Sequence, residues 1–322
     1  MKPKEVLAKI QDRGWPLKAT AKEEAIIATS AKCSKLYAQK FLDARFPLGE
    51  PAILKSASES YLYAKDVIHG RFKEAEDIIG QDAHYSFEYA TKVLNGRFSK
   101  GEKAMAQHAG YAADYAVLTN IIFEEAEDVI AQDCEASFTY AANALHGRFE
   151  KGEDAISKDA GYSYQYATYV MEGRFEKGED AISTNAQYCG DYAQYILKDR
   201  FEKGEDTIIQ DLGVAINYST HVLKGRWDRL ENILINSESD DKNEFIIDYA
   251  KNITELGIKI PEEIHNRLIC LGITNGDDCN IKEYFESIKD LENNRKLELV
   301  SHLTVEELQV IIKRFNKTGV ES

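Results

Sequence analysis

The chain lacks any cysteine pair that could staple a fold or hold a metal. Cys33, Cys134, Cys189, Cys270 and Cys279 are odd in number and scattered, with no CxxC and no Cys/His cluster at ligand spacing. That argues against a disulfide framework and a zinc module, and predicts a reducing, cytoplasmic compartment. Long apolar runs are also missing. Nothing approaches the roughly 18 apolar residues of a membrane span, and the start, MKPKEVLAKIQDRGWP, has no apolar core of signal-peptide length. Positive charge is in deficit. With 40 Lys and Arg against 55 Asp and Glu the formal charge is −15, which repels nucleic acid and anionic membrane on average and suits a basic partner. No alternating Val/Ile/Thr-rich run predicts strands, and no GxGxxG or GxxxxGK[ST] loop occurs. His69, His84, His108, His146, His221, His265 and His302 are scattered. The expectation is a non-enzyme with no catalytic residue, no metal and no cofactor.

What the chain does have is a period. GRFEKGED stands at 147–154 and again at 173–180, and RFEKGED follows from 200. Arg-aromatic pairs recur at Arg45, Arg71, Arg97, Arg148, Arg174, Arg200 and Arg226. They stand 26 residues apart except between 97 and 148, where Ile122-Phe123 fills the missing place and one residue is deleted. A Tyr-Ala pair recurs at Tyr37, Tyr63, Tyr89, Tyr115, Tyr140, Tyr166 and Tyr192, and Tyr218-Ser219 closes the series. Five places after each Arg stands a glutamate: Glu50, Glu76, Glu102, Glu153, Glu179, Glu205 and Glu231, with Glu127 after Ile122. Internal periods of this size mean a stacked array.

One copy predicts the folding unit. In RFEKGEDAISKDAGYSYQYATYVMEG, a short helix spans about Glu150 to Ser157, with acidic residues in a first turn that the helix dipole favours. Ser99-Lys100-Gly101-Glu102 reads as a capping box at the same place. Asp159 suits the N-cap of a second helix, as do Asp82, Asp133, Asn185 and Asp211. That helix runs to about Glu172 and stops at Gly173, with Gly70, Gly96, Gly147 and Gly225 as equivalent stops. At about 100° per residue, Ala160, Ser163, Tyr164, Ala167 and Met171 share one side, and Tyr162, Tyr166 and Tyr169 lie nearly opposite. A helix apolar on two sides needs neighbours on both, as stacked repeats provide. The fold class is therefore all-α: an α-solenoid of about nine two-helix, 26-residue repeats with helical end caps. Its parts are an N-terminal cap at 1–18, repeats at 19–257, the last degenerate near Ser237–Asn243, and a helical C-terminal cap or small domain at 258–322. Helices are expected there over Pro261 to Gly272, over about Ile281 to Leu291, and after a capping Thr304 with Glu307.

Two rows could carry function. The arginines could bind phosphates, or each could be a framework residue, Arg148 with Glu153 and Arg174 with Glu179, forming a ladder between adjacent repeats that buried Tyr166 and Tyr192 support. The acidic pairs Glu153-Asp154, Glu179-Asp180 and Glu205-Asp206 read as solvated first turns, or as an acidic row offered to a basic protein. The favoured binding surface is the water-facing stripe of the second helix, whose residues vary while the framework repeats. It carries Glu88 and Thr91; Gln165, Thr168 and Glu172; Asp191, Gln194 and Lys198; Asn217, Thr220 and Lys224. The stripe is mixed polar rather than basic, against a phosphate-tracking groove. The expected function is non-enzymatic protein binding. The alternatives are nucleic-acid binding through the Arg row and self-assembly into a structural array.

The unit, written YAxxVLxGRFxxGEdaIxxda, resembles a family of tandem-repeat proteins of large tailed bacteriophages and phage-like genomes. The matching copies include Tyr89-Ala90-Thr91-Lys92-Val93-Leu94-Asn95-Gly96-Arg97-Phe98 and Tyr218-Ser219-Thr220-His221-Val222-Leu223-Lys224-Gly225-Arg226-Trp227. The resemblance covers about 19–257 and departs at Ile121-Ile122-Phe123, where Gly-Arg is absent. It implies a viral origin, a host-cell cytoplasm and an all-helical array, and it carries over no catalytic residue. A phage protein that sequesters or inhibits a host factor is the concrete expectation.

Overall fold

The computed structural model describes residues 1–13, 19–236 and 243–274. Every regular element among them is helical. The chain divides into two compact units, Met1–Gly178 and Glu179–Ser322, so the repeat array crosses the division. The described repeats in both units follow one all-α motif.

The motif is built locally. After Phe149 the backbone makes one tight 3-10 turn, Glu150–Gly152, then one α turn, Glu153–Ile156. The chain reverses, and Asp159 starts the second helix, Ala160–Tyr169, by accepting the Tyr162 N–H at 2.9 Å. Asp82, Asp133, Asn185 and Asp211 do the same at 3.0, 2.8, 3.0 and 3.1 Å. The expected cap at Ser99 does not form. That helix begins after Phe98 with no side-chain cap, and Glu102 is held by Arg97 and Tyr115 instead. A capping box does form at Thr20 and Glu23.

The second helices are not uniform. In most repeats an α segment such as Ala83–Tyr89 widens into π turns, Ala90–Leu94. A π turn holds one residue more than an α turn. The 25-residue repeat shows where its residue went: its second helix, Ala109–Thr119, is α throughout and has 11 residues, against 12 over 83–94. The closing bond shortens in step. Gly96 N–H reaches back six residues to Ala90, and Ile121 N–H only five to Ala116.

Eight second helices end in a left-handed residue that is not glycine; only the degenerate last repeat has a glycine there, Gly257 at φ 74°. Asp43, His69, Asn95, Asn120, His146, Glu172, Lys198 and Lys224 carry φ between 47° and 54°. The expected stops at Gly70, Gly96, Gly147, Gly173 and Gly225 come one place later, outside the positive-φ region. A Cβ on Gly70 would meet nothing within 4 Å. Helix termination is therefore borne by the residue before the glycine.

The core lies between the helix layers of stacked repeats. The tyrosine of each Tyr-Ala pair is buried, and its ring meets the aromatic of the next repeat, as in Tyr89–Phe98 at 5.0 Å and Tyr140–Phe149 at 5.1 Å. A serine stitches the two helices of one repeat. Ser163 Oγ donates to the Ile156 carbonyl at 2.9 Å, and Cys189 fills the same place with Sγ at 3.2 Å from Ile182. The degenerate last repeat keeps the plan. Tyr249-Ala250 is a further Tyr-Ala pair, buried, with its hydroxyl on Glu231 at 2.6 Å. Its separation from the glutamate is 18 instead of 13, so the insertion hid it from the 26-residue count.

Described residues outside the repeats include a helix before them and one after them. Pro3–Asp12 buries Val6, Leu7 and Ile10. Glu262–Thr274 buries Ile264 and Leu268, and Arg267 donates to the Ile235 carbonyl at 2.8 Å. The helices expected at about 281–291 and after Thr304 lie outside the described residues.

Candidate functional site

Four groups close one circuit that recurs along the array. Arg97 Nε and Nη2 donate to the two oxygens of Glu102 at 2.7 and 3.1 Å. Tyr115 OH donates to the same carboxylate at 2.9 Å and accepts the Phe98 N–H at 2.8 Å. The circuit recurs with Arg45, Glu50 and Tyr63; with Arg148, Glu153 and Tyr166; with Arg200, Glu205 and Tyr218; and with Arg226, Glu231 and Tyr249. The Arg97 guanidinium holds the Glu102 carboxyl below the usual carboxylate range, and Glu153 drives the Arg148 pKa upward. Burial pushes the tyrosines up, Tyr63, Tyr140 and Tyr166 to about 12.

This corrects the expected ladder between neighbours. Arg148 and Glu153 clamp the start of their own repeat. A second ion pair spans adjacent repeats instead. Lys100 reaches Asp77 at 2.7 Å, Lys151 reaches Asp128 at 2.9 Å, Lys177 reaches Asp154 at 2.6 Å, Lys203 reaches Asp180 at 2.5 Å and Arg229 reaches Asp206 at 2.6 Å. The acidic row therefore divides. Glu153, Glu179 and Glu205 are buried, and only Asp154, Asp180 and Asp206 face water, each already bridged to a cation. An acidic row of six exposed carboxylates does not exist.

The arginines are half exposed, Arg148 at 52%. Their Nε and Nη2 edges are spent on glutamate, so each contributes little net charge to the surface. Because Arg148 sits in water, Arg148→Ala should lower the melting temperature by only about 2–4 °C, which a thermal scan followed by circular dichroism would read.

The variable stripe is partly absorbed by the fold. Glu88 accepts from Tyr61 OH of the preceding repeat at 2.8 Å and from Lys92 at 2.6 Å. Thr91, Thr168 and Thr220 turn their hydroxyls to the carbonyls of Phe87, Tyr164 and Ile216. Asp191 accepts from Gln187 at 3.0 Å. Gln165 and Gln194 are half-buried, whereas Glu172, Lys198, Asn217 and Lys224 are exposed.

Sequence reasoning missed the most exposed aromatics among the described residues. Tyr169 in the first unit and Tyr195 in the second are 68% and 58% exposed. The expectation puts Tyr169 on an apolar side with Tyr162 and Tyr166, but in the α-helix Ala160–Tyr169 only Tyr166 of the three is fully buried and Tyr169 faces water. The missed signal was the left-handed cap. All eight cap residues are exposed, none is glycine, and their side chains reach no partner among the described residues. A non-glycine residue there costs about 1 kcal/mol. Lys198→Gly and Lys224→Gly should each stabilise the chain by about that amount, measured by urea denaturation.

Among the described residues no His, Cys, Asp and Glu group could hold a metal ion, and no helix is long and apolar enough to cross a membrane. Comparison with protein-family models, with curated proteins and with solved structures finds no match for the chain.

Proposed function

We propose that the chain is a non-enzymatic protein-binding solenoid, and that it binds through the C-terminal part of its second helices. One observation carries this reading. Most residues of the repeated framework are buried or paired within the array, and the varying cap residues face water without a partner among the described residues. The caps His146, Glu172, Lys198 and Lys224 differ in charge from copy to copy and are held in a conformation glycine would adopt more cheaply. Tyr169 and Tyr195 supply exposed amphipathic rings of the kind that anchor interfaces. With the resemblance to phage repeat proteins, a host factor that is sequestered or inhibited is the concrete partner class. The Arg row lends nucleic-acid binding no support, because its guanidinium groups are already paired with glutamates.

The test is affinity capture from a bacterial host lysate at low and moderate salt, with and without nuclease. The expected result is a discrete protein that survives nuclease and is lost with Tyr169→Ala or Tyr195→Ala at unchanged melting temperature. Recovery of nucleic acid, or of proteins lost on nuclease treatment, would overturn the reading in favour of the Arg row.

A further inference from the structure

In the 25-residue repeat the circuit is built but its arginine is missing from the sequence. Ile122 stands where the guanidinium would start, and it is 60% exposed rather than folded over the site. Everything else is in place. Phe123 N–H donates to Tyr140 OH at 2.9 Å, and Tyr140 OH donates to Glu127 at 3.3 Å, the same length as Tyr166 to Glu153. The backbone matches too, with Phe123 at φ −102° and ψ 65° beside Phe201 at −113° and 76°. The Glu127 side chain is 18% exposed, at the open end of a range that runs from 5% at Glu153 to 15% at Glu50. Among the described residues, Lys151 is also the one ladder lysine that, besides its aspartate at 2.9 Å, reaches the glutamate, at 3.2 Å. Its counterparts Lys100, Lys177 and Lys203 bridge only the aspartate. Glu24, behind Ala19, has no arginine of its own repeat either, but borders residues 14–18, outside the described residues.

We infer that Glu127 is a receptor for a guanidinium supplied from outside the chain, namely an arginine side chain of a bound protein. The ligand chemistry is read from the chain's own copies, where Arg97, Arg148, Arg200 and Arg226 occupy the equivalent carboxylates through two parallel N–H···O bonds. A lysine would match the fork poorly, since an ammonium makes no bidentate pair. Glu124, Glu125 and Asp128, exposed and within three residues of Glu127 in the chain, disfavour free arginine, which brings its own carboxylate. An incoming guanidinium releases Lys151 to Asp128 alone. That the arginine belongs to a protein rests on the binding function proposed above; the guanidinium site itself does not.

The experiment titrates the full chain with N-acetyl-arginine amide, N-acetyl-lysine amide and free arginine, and follows the amide signals of Phe123, Tyr140 and Lys151 by NMR. Saturable shifts confined to that region, with the arginine amide binding several-fold tighter than the other two, are expected. Glu127→Gln should abolish them. Ile122→Arg should abolish them too and raise the melting temperature by about 2–4 °C, as the chain then fills its own site. Equal midpoints for the arginine and lysine amides, or shifts that persist in Ile122→Arg, would overturn the assignment. If the arginine amide saturates but lysate capture yields no protein, the guanidinium site stands and the partner reading fails; the opposite pair of results separates them the other way.

Discussion

Tyr166→Ala should destabilise the chain by about 3–5 kcal/mol, in the range for removing a buried aromatic. The ring is wholly buried and meets Phe175 at 5.0 Å. Its hydroxyl is the only side-chain acceptor of the buried Phe149 N–H and a donor to Glu153. Tyr166→Phe separates the two contributions. It keeps the packing but leaves a backbone N–H unsatisfied, a loss of about 1–3 kcal/mol. Urea denaturation of both variants beside Arg148→Ala would rank the circuit, with the tyrosine ring first, the hydroxyl second and the solvated arginine last. If Arg148→Ala proved as damaging as Tyr166→Ala, the arginine would be the keystone and this ordering would be wrong.

Alkali should unfold the array more abruptly than it unfolds helical proteins of ordinary tyrosine content. Burial raises Tyr37, Tyr63, Tyr140 and Tyr166 to about 12, and raises Tyr115, Tyr218 and Tyr249 as well. The sign follows from linkage. A raised folded pKa means that the neutral hydroxyl is favoured in the folded state, so this stability is fully present below the unfolded value near 10. It is lost as pH rises through 12. One phenolate also abandons its donor role to glutamate and places two anions together. Circular dichroism and tyrosinate absorbance, followed over that window, should change together. A smooth tyrosinate titration complete before any loss of helix would show that the hydroxyls are accessible and the circuit is not closed.

Much of the fold was legible because stacking imposes repetition on residues that touch backbone. Asp159 and its counterparts could be named as caps, since a short acceptor before a helix has one use. Tyr166 could be placed in the core from its recurrence. The partner of Glu153 was legible, but not that the pair closes inside one repeat, because a spacing of five fits no standard helical neighbour relation. The exposure of Tyr169 was not legible either, because a helical wheel groups residues by angle and does not say which of them a neighbouring repeat covers. The glycine after each helix misled as well, since the preference for glycine at a left-handed cap pointed one residue too late. The binding surface is the least legible part, because variation between copies says which positions are free and not what fills them.

The left-handed cap also acts as a reset. Between Arg97 and Ile122 the chain drops one residue, yet Asn120, Phe123, Glu127 and Tyr140 return to the positions their counterparts hold. The wide turn absorbs the lost residue, and everything beyond the cap keeps its register. Genetic deletions of one codon within such a turn would thus be silent downstream. An array assembled this way can shed or gain residues copy by copy, and can diversify its exposed caps without renegotiating its core.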